Sequence, residues 1–267
     1  GSGLKASDVL TVGADGRARR WRDGARVWES PPAWSAFDAA CDGATTFVAS
    51  ADGKLWRIDG DASPVMVADQ LGSDPVLSLS ADATRVAVVN AELRGWIIAL
   101  ANGSRLPLSD TPVSQAVIVR GWRPMVEWGG GDQVVLVQSW SGGVVWDAAT
   151  GQRRFEIPAP TEELRVAVMD EQSNSIVVGG ADYAIRRLSL VDGKELVRYT
   201  NEAWPWTVRV RGDRLWAGLD DGSVVEFNYA TGERTGLLGA FGSDVVAVVP
   251  AADDYLWVST TERFLSL

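Results

Sequence analysis

One short pattern recurs along this chain at a nearly fixed interval, and a period of about 20 to 50 residues restricts the fold more than composition does. An Asp-Gly pair, alternating residues and a large apolar anchor six positions after the Asp appear in Asp15 to Trp21, Asp52 to Ile58 and Asp221 to Phe227. Drifted copies run from Asp182-Tyr183 to Leu188, from Gly142-Gly143 to Trp146 and from near Glu92 to Ile98, and a weak final copy ends at Leu267. The anchors Trp21, Ile58, Ile98, Trp146, Leu188, Phe227 and Leu267 are spaced 37, 40, 48, 42, 39 and 40 apart, a mean of 41.

Turn chemistry divides each period into strands. Four anchors are followed five residues later by glycine (Gly103, Gly151, Gly193 and Gly232), which suits the positive φ of a hairpin turn. Short β-rich runs precede each Asp-Gly turn, such as Thr46 to Ala49, Val134 to Val137 and Ser175 to Val178. Others lie further upstream, such as Val76 to Leu79 and Leu164 to Val168, and no stretch sustains a helical period. Four strands per forty-odd residues predict an all-β fold, a seven-bladed β-propeller of four-stranded antiparallel blades. The first unit is expected to enter at its second strand (Val9 to Gly13) and the last to stop at its third (Arg263 to Leu267). Gly1-Ser2-Gly3 reads as a cloning remnant, and residues 4–267 as a single propeller domain.

The unit resembles the Ser-x-Asp-Gly…Trp-Asp…Thr-Gly strand pair of the WD40 repeat family over nearly the whole chain. The copies are degenerate: only Trp146-Asp147 gives the naming dipeptide, and without histidine the family's Gly-His step is absent. Gly72-Ser73-Asp74 and Gly242-Ser243-Asp244 look like that step with serine in place of histidine. The family's Asp-His-Ser/Thr-Trp tetrad is thus incomplete, which leaves apolar packing to hold the blades. Asp147 to Gly151 is also similar to quinoprotein-like propellers, so eight blades stand as the alternative count.

Composition narrows the function classes. A net charge of −10 and a pI near 4.6 argue against nucleic acid as the main partner. Lys5, Lys54 and Lys194 are the only lysines, so 22 of the 25 cations are arginine, the better residue for bidentate and stacked contacts. The single cysteine, Cys41, excludes an internal disulfide and favours a reducing, cytoplasmic location. Apolar runs such as Val245 to Ala252 are too short to insert in a membrane as a helix.

In the architecture that the resemblance implies, the first strand of each blade lines a central channel, and the loops leading into it share one face with the second-to-third turns. That face is the family's usual recognition surface. Trp34, Trp204, Trp206 and Phe241 fall in the entering loops, and Trp140 and Tyr183 in the turns. The 48-residue spacing locates an insertion, roughly Thr111 to Arg123, that carries Arg120, Trp122 and Arg123. Tryptophan with arginine is the composition of an interface hot spot. These nine residues form the candidate partner-binding set, with packing between blades as the competing role of Trp34 and Trp206. Trp21, Trp56, Trp146 and Trp216 lie on strands and are assigned to packing.

Catalytic groups are scarce. Zero histidines removes the commonest general base and metal ligand, and no phosphate loop or nucleophile elbow occurs. No cofactor, metal or catalytic residue is assigned. Asp38, Arg165 and Arg209, with Asp213 nearby, are the residues that a polar channel pocket would draw on. The expected function is a non-catalytic, monomeric protein-interaction or sensing module, part of a larger bacterial protein, with a protein or peptide partner on the loop face. The alternatives are a small-ligand or carbohydrate site and, further off, a quinoprotein-like or lyase-type enzyme.

Overall fold

The computed structural model describes residues 8–13, 15–22, 25–31, 34–42, 45–60, 62–108, 124–139, 142–158, 163–170, 173–250, 256–261 and 264–266. The terminal tripeptide Gly1 to Gly3, the insertion with Arg120, Trp122 and Arg123, and the positions Trp140 and Leu267 lie outside them. Every sheet is antiparallel, pairs its strands in chain order, and is followed by the next without exchange of strands. The result is a seven-bladed β-propeller, with no α-helix among the described residues.

Blades 2 to 6 span residues 36–68, 76–107, 125–158, 164–200 and 205–240, and each has four strands. Their first strands, Ala36–Asp42, Val76–Leu79, Met125–Gly129, Leu164–Asp170 and Pro205–Arg211, lie side by side in sequence, followed by Val245–Pro250 of blade 7. Three strands are described in blade 1 (Asp8–Val12, Ala18–Arg22, Ala25–Glu29) and in blade 7 (Val245–Pro250, Leu256–Thr260, Phe264–Ser266). The hairpin at Asp15-Gly16 matches those at Asp52-Gly53 and Asp221-Gly222, so blade 1 enters at the second-strand position as expected; Gly16, Gly53 and Gly222 have φ of +71°, +80° and +84°.

The core lies between blades. Val134 and Leu136 on the second strand of blade 4 face the cluster shared with blade 5, while Val135 faces the one shared with blade 3. Blade 5 repeats this: Ile176 and Val178 turn to blade 4, and Val177 to blade 6. Period-2 alternation on a sheet buried on both faces explains why these runs are continuously apolar. The anchors Ile58, Ile98, Trp146, Leu188 and Phe227 sit on third strands and are buried, whereas Trp21 is half-buried and donates from Nε1 to Thr11 at 3.0 Å.

Glycine keys each of blades 3 to 6 to the one before it. Gly103, Gly151, Gly193 and Gly232 have φ between +68° and +79°. A Cβ on Gly151 would lie 2.3 Å from the Pro107 carbonyl oxygen, and one on Gly232 2.5 Å from that of Arg198, each on the outer strand of the preceding blade. No L side chain suits both the conformation and the space.

Polar contacts also cross the junctions, which corrects the expectation of apolar packing alone. Between blades 5 and 6 the Tyr229 hydroxyl donates to Asp170 Oδ2 at 2.7 Å and lies 2.9 Å from Ser175 Oγ, while Ser173 also donates to Asp170. Tyr199 donates to the Tyr229 carbonyl at 2.6 Å, and burial pushes the Tyr229 hydroxyl above its ordinary pKa, keeping it a donor. Between blades 3 and 4 Trp128 Nε1 donates to the Ser78 carbonyl at 2.8 Å, and Asp132 accepts from the backbone N–H of Ala81 at 3.0 Å.

Three outcomes follow for stability. Tyr229→Phe should cost about 1 to 3 kcal/mol in urea unfolding, because it leaves the buried Asp170 short of a donor. Gly151→Ala should cost more than about 1 kcal/mol, since strain and overlap with blade 3 add; an unchanged midpoint would contradict the keyed junction. The Ser80 hydroxyl and the Thr84 backbone hold Asp82 at about 2, and Arg154 does the same for Asp147, against an ordinary 3.8. A lowered folded-state pKa stabilises above the unfolded value and is lost as pH falls through the folded one. The melting temperature should therefore drop between pH 3.8 and 2, and Asp147→Asn should make that drop shallower.

Candidate functional site

The first strands of four blades share an irregularity that the sequence does not advertise. Their pairing with the second strand shifts between Ala36 and Asp38, Leu164 and Val166, Pro205 and Thr207, and Val245 and Ala247. One residue per blade, Phe37, Arg165, Trp206 and Val246, is thereby left without an opposite neighbour. Such a bulge breaks the in–out alternation and re-aims a side chain.

Arg165, Trp206 and Val246 line a channel cavity of about 850 Å³ together with Asp38, Glu127 and Arg209. The Arg165 guanidinium sits 4.3 Å from the Trp204 ring centroid and 4.5 Å from that of Trp206, so two indoles clasp it. Its side chain is only 7% exposed and pairs with Glu163 at 2.8 Å. Trp204 is fixed by two bonds: Nε1 donates to the Ala181 carbonyl at 3.1 Å, and its backbone N–H donates to Asp220 Oδ1 at 2.9 Å. Tyr183 stacks on Trp204, 5.9 Å away with planes 13° apart. Tyr183, Trp204, Arg165 and Trp206 thus form one ladder across blades 5 and 6.

Tyr183 occupies the turn position that Gly53 and Gly222 fill elsewhere, and it holds φ of +63°. A bulky residue in the left-handed region costs about 1 to 3 kcal/mol unless its surroundings over-determine it. Leu93 takes the same conformation in blade 3 but is buried, whereas Tyr183 is 44% exposed. Blade 5 therefore accepts backbone strain to keep a solvent-facing ring against Trp204.

The channel carboxylates serve the ring of blades. Asp38 Oδ2 accepts from the Leu77 N–H at 2.9 Å and its Oδ1 from the Ala39 N–H at 2.9 Å, linking blades 2 and 3. Glu127 Oε2 accepts from the Met169 N–H at 3.3 Å, linking blades 4 and 5. Arg209 donates to the Val208 carbonyl at 2.8 Å and makes no ion pair among the described residues.

Of the nine candidate residues, the structure brings Tyr183, Trp204 and Trp206 together. Trp34 stacks on Trp56 at 4.7 Å and 10° and packs on the cluster of blades 1 and 2, in keeping with the packing role set beside it. Phe241 packs on the apolar cluster of blades 6 and 7, with its N–H on the Gly222 carbonyl at 2.9 Å. Arg120, Trp122, Arg123 and Trp140 fall outside the described residues. The pocket reading of Asp38, Arg165 and Arg209 holds, while Asp213 lies away from the cavity lining, where its carbonyl accepts from the Tyr229 N–H at 2.8 Å. Glu127 is the charged lining residue that sequence reading missed, because its copy of the repeat follows the insertion and has no clear register.

No family model matches the sequence, and no curated protein does. Solved structures do. The chain aligns with the computationally designed protein Ika8 at a TM-score of 0.79 and 16% identity, covering 98% of this chain and 80% of that one. It aligns with BamB from Moraxella catarrhalis at a TM-score of 0.66 and 15% identity, covering 97% and 78%. At these identities the likeness is one of fold. The protein is thus a β-propeller with an arginine–aromatic ladder at its channel.

Proposed function

We propose that this protein is a non-catalytic, WD40-like interaction module that grips a protein or peptide on the face bearing the Tyr183–Trp204–Arg165–Trp206 ladder. The observation that carries the reading is Tyr183: a strained turn keeps an exposed ring on a prearranged stack. Rigid aromatic rings with arginine bind partners at low ordering cost, and strain at a turn is tolerated where it serves a site. The propeller fold supports an interaction scaffold in general, and the channel carboxylates, occupied by backbone N–H groups, speak against a catalytic pair.

Peptides selected by display on the wild-type protein should bind Tyr183→Gly and Trp204→Ala at least about tenfold more weakly. Glycine suits the turn, so Tyr183→Gly should melt within a few degrees of wild type while losing affinity. Equal affinity for wild type and both variants would remove the ladder from the recognition surface.

A further inference from the structure

The channel cavity has its own chemistry beneath the ladder. Its acids, Asp38 and Glu127, stand on blades 2 and 4, and its cations, Arg165 and Arg209, on blades 5 and 6. The two walls are not equally occupied. Asp38 accepts with both oxygens and Glu127 with Oε2, and Arg165 is clasped by indoles and paired with Glu163. Arg209 is exposed, and its one bond goes to the carbonyl of the residue before it. On the same wall the buried indole N–H of Trp206 has no acceptor.

We infer that this cavity binds a carboxylate attached to an apolar group, with Arg209 as the anchoring residue. A guanidinium presents a planar fork that fits a carboxylate through two parallel hydrogen bonds. The acidic side of the cavity favours a single negative charge over a phosphate dianion, since Asp38 and Glu127 repel a second charge. Val76, Val126, Val168 and Val246 offer the apolar surface for the body of the ligand. Both a free carboxylic acid and the C-terminus of a peptide have this chemistry.

Isothermal titration of the full chain separates these sources, using isovalerate, N-acetyl-Ala-Leu-Val with a free C-terminus, the same peptide amidated, and inorganic phosphate. The expected result is binding of isovalerate, of the free-acid peptide or of both, with no comparable binding of the amide or of phosphate. Binding of isovalerate assigns a free acid, and binding of the peptide alone assigns a C-terminus. Arg209→Gln should weaken binding about tenfold or more, and Arg209→Lys, which keeps the charge but not the fork, should fall between. No heat from either carboxylate at millimolar concentration, equal binding of the amide or phosphate, or full affinity in Arg209→Gln would overturn the inference. The recognition-face reading is separate, because display-selected peptides test Tyr183 and Trp204 while these probes test Arg209.

Discussion

Every blade of this protein depends on its neighbours, because the apolar residues of one sheet pack against those of the next. The six buried clusters each draw on two consecutive blades, and none is confined to one sheet. A four-stranded sheet with two apolar faces cannot stand alone in water; stacked around an axis, each face covers another. That condition sets the period of the sequence, and it makes the junction the place where substitutions are felt most. The glycine turns and the Asp170–Tyr229 cluster are the steric and polar forms of the same requirement.

Within that frame the heads of the first strands are the freest positions. Their side chains leave the period-2 pattern at the bulges: Phe37 packs on the apolar cluster of blades 3 and 4, while Arg165, Trp206 and Val246 line the channel cavity. Phe37, Arg165, Trp206 and Val246 range from aromatic to aliphatic to cationic, although they occupy equivalent sites. The fold holds three of them, Arg165, Trp206 and Val246, at the channel and leaves their identity open, which is how one scaffold carries different sites. In blades 5 and 6 that freedom is used jointly: Arg165 comes from one blade, and the indoles that touch it come from the loop entering the next, Trp204, and from the head of its first strand, Trp206.

The architecture was legible because it repeats. Anchors such as Ile98 and Phe227, and glycines such as Gly151, recur at one spacing, and one physical role explains each set. The site was legible only in part because it departs from the repeat. Trp34 and Trp204 occupy comparable entering loops, yet Trp34 meets Trp56 across a junction while Trp204 meets Tyr183 and Arg165 at the surface. Nothing in the local sequence separates these outcomes, since each is decided by residues some 20 to 40 positions away. Tyr183 left a visible trace, a bulky residue where the motif calls for glycine. The bulges left none, because a shifted register changes no residue type.

Arginine ties these points together. In blades 3 and 4 the Arg85 guanidinium lies 4.7 Å from the Trp128 ring and donates to the Asp132 carbonyl, and in blades 5 and 6 Arg187 lies 4.7 Å from the Tyr229 ring. Stacking on an aromatic face while hydrogen-bonding in its own plane is open to a flat guanidinium and closed to an ammonium, so lysine would not replace it here. A chain that joins blades without histidine tetrads uses this contact as one of its substitutes. At the ladder the same contact is carried to the channel, where two indoles lie against Arg165 and the Tyr183 ring remains turned to solvent. The ladder is thus an extension of the junction chemistry, and its rigidity is inherited from the packing that closes blade upon blade.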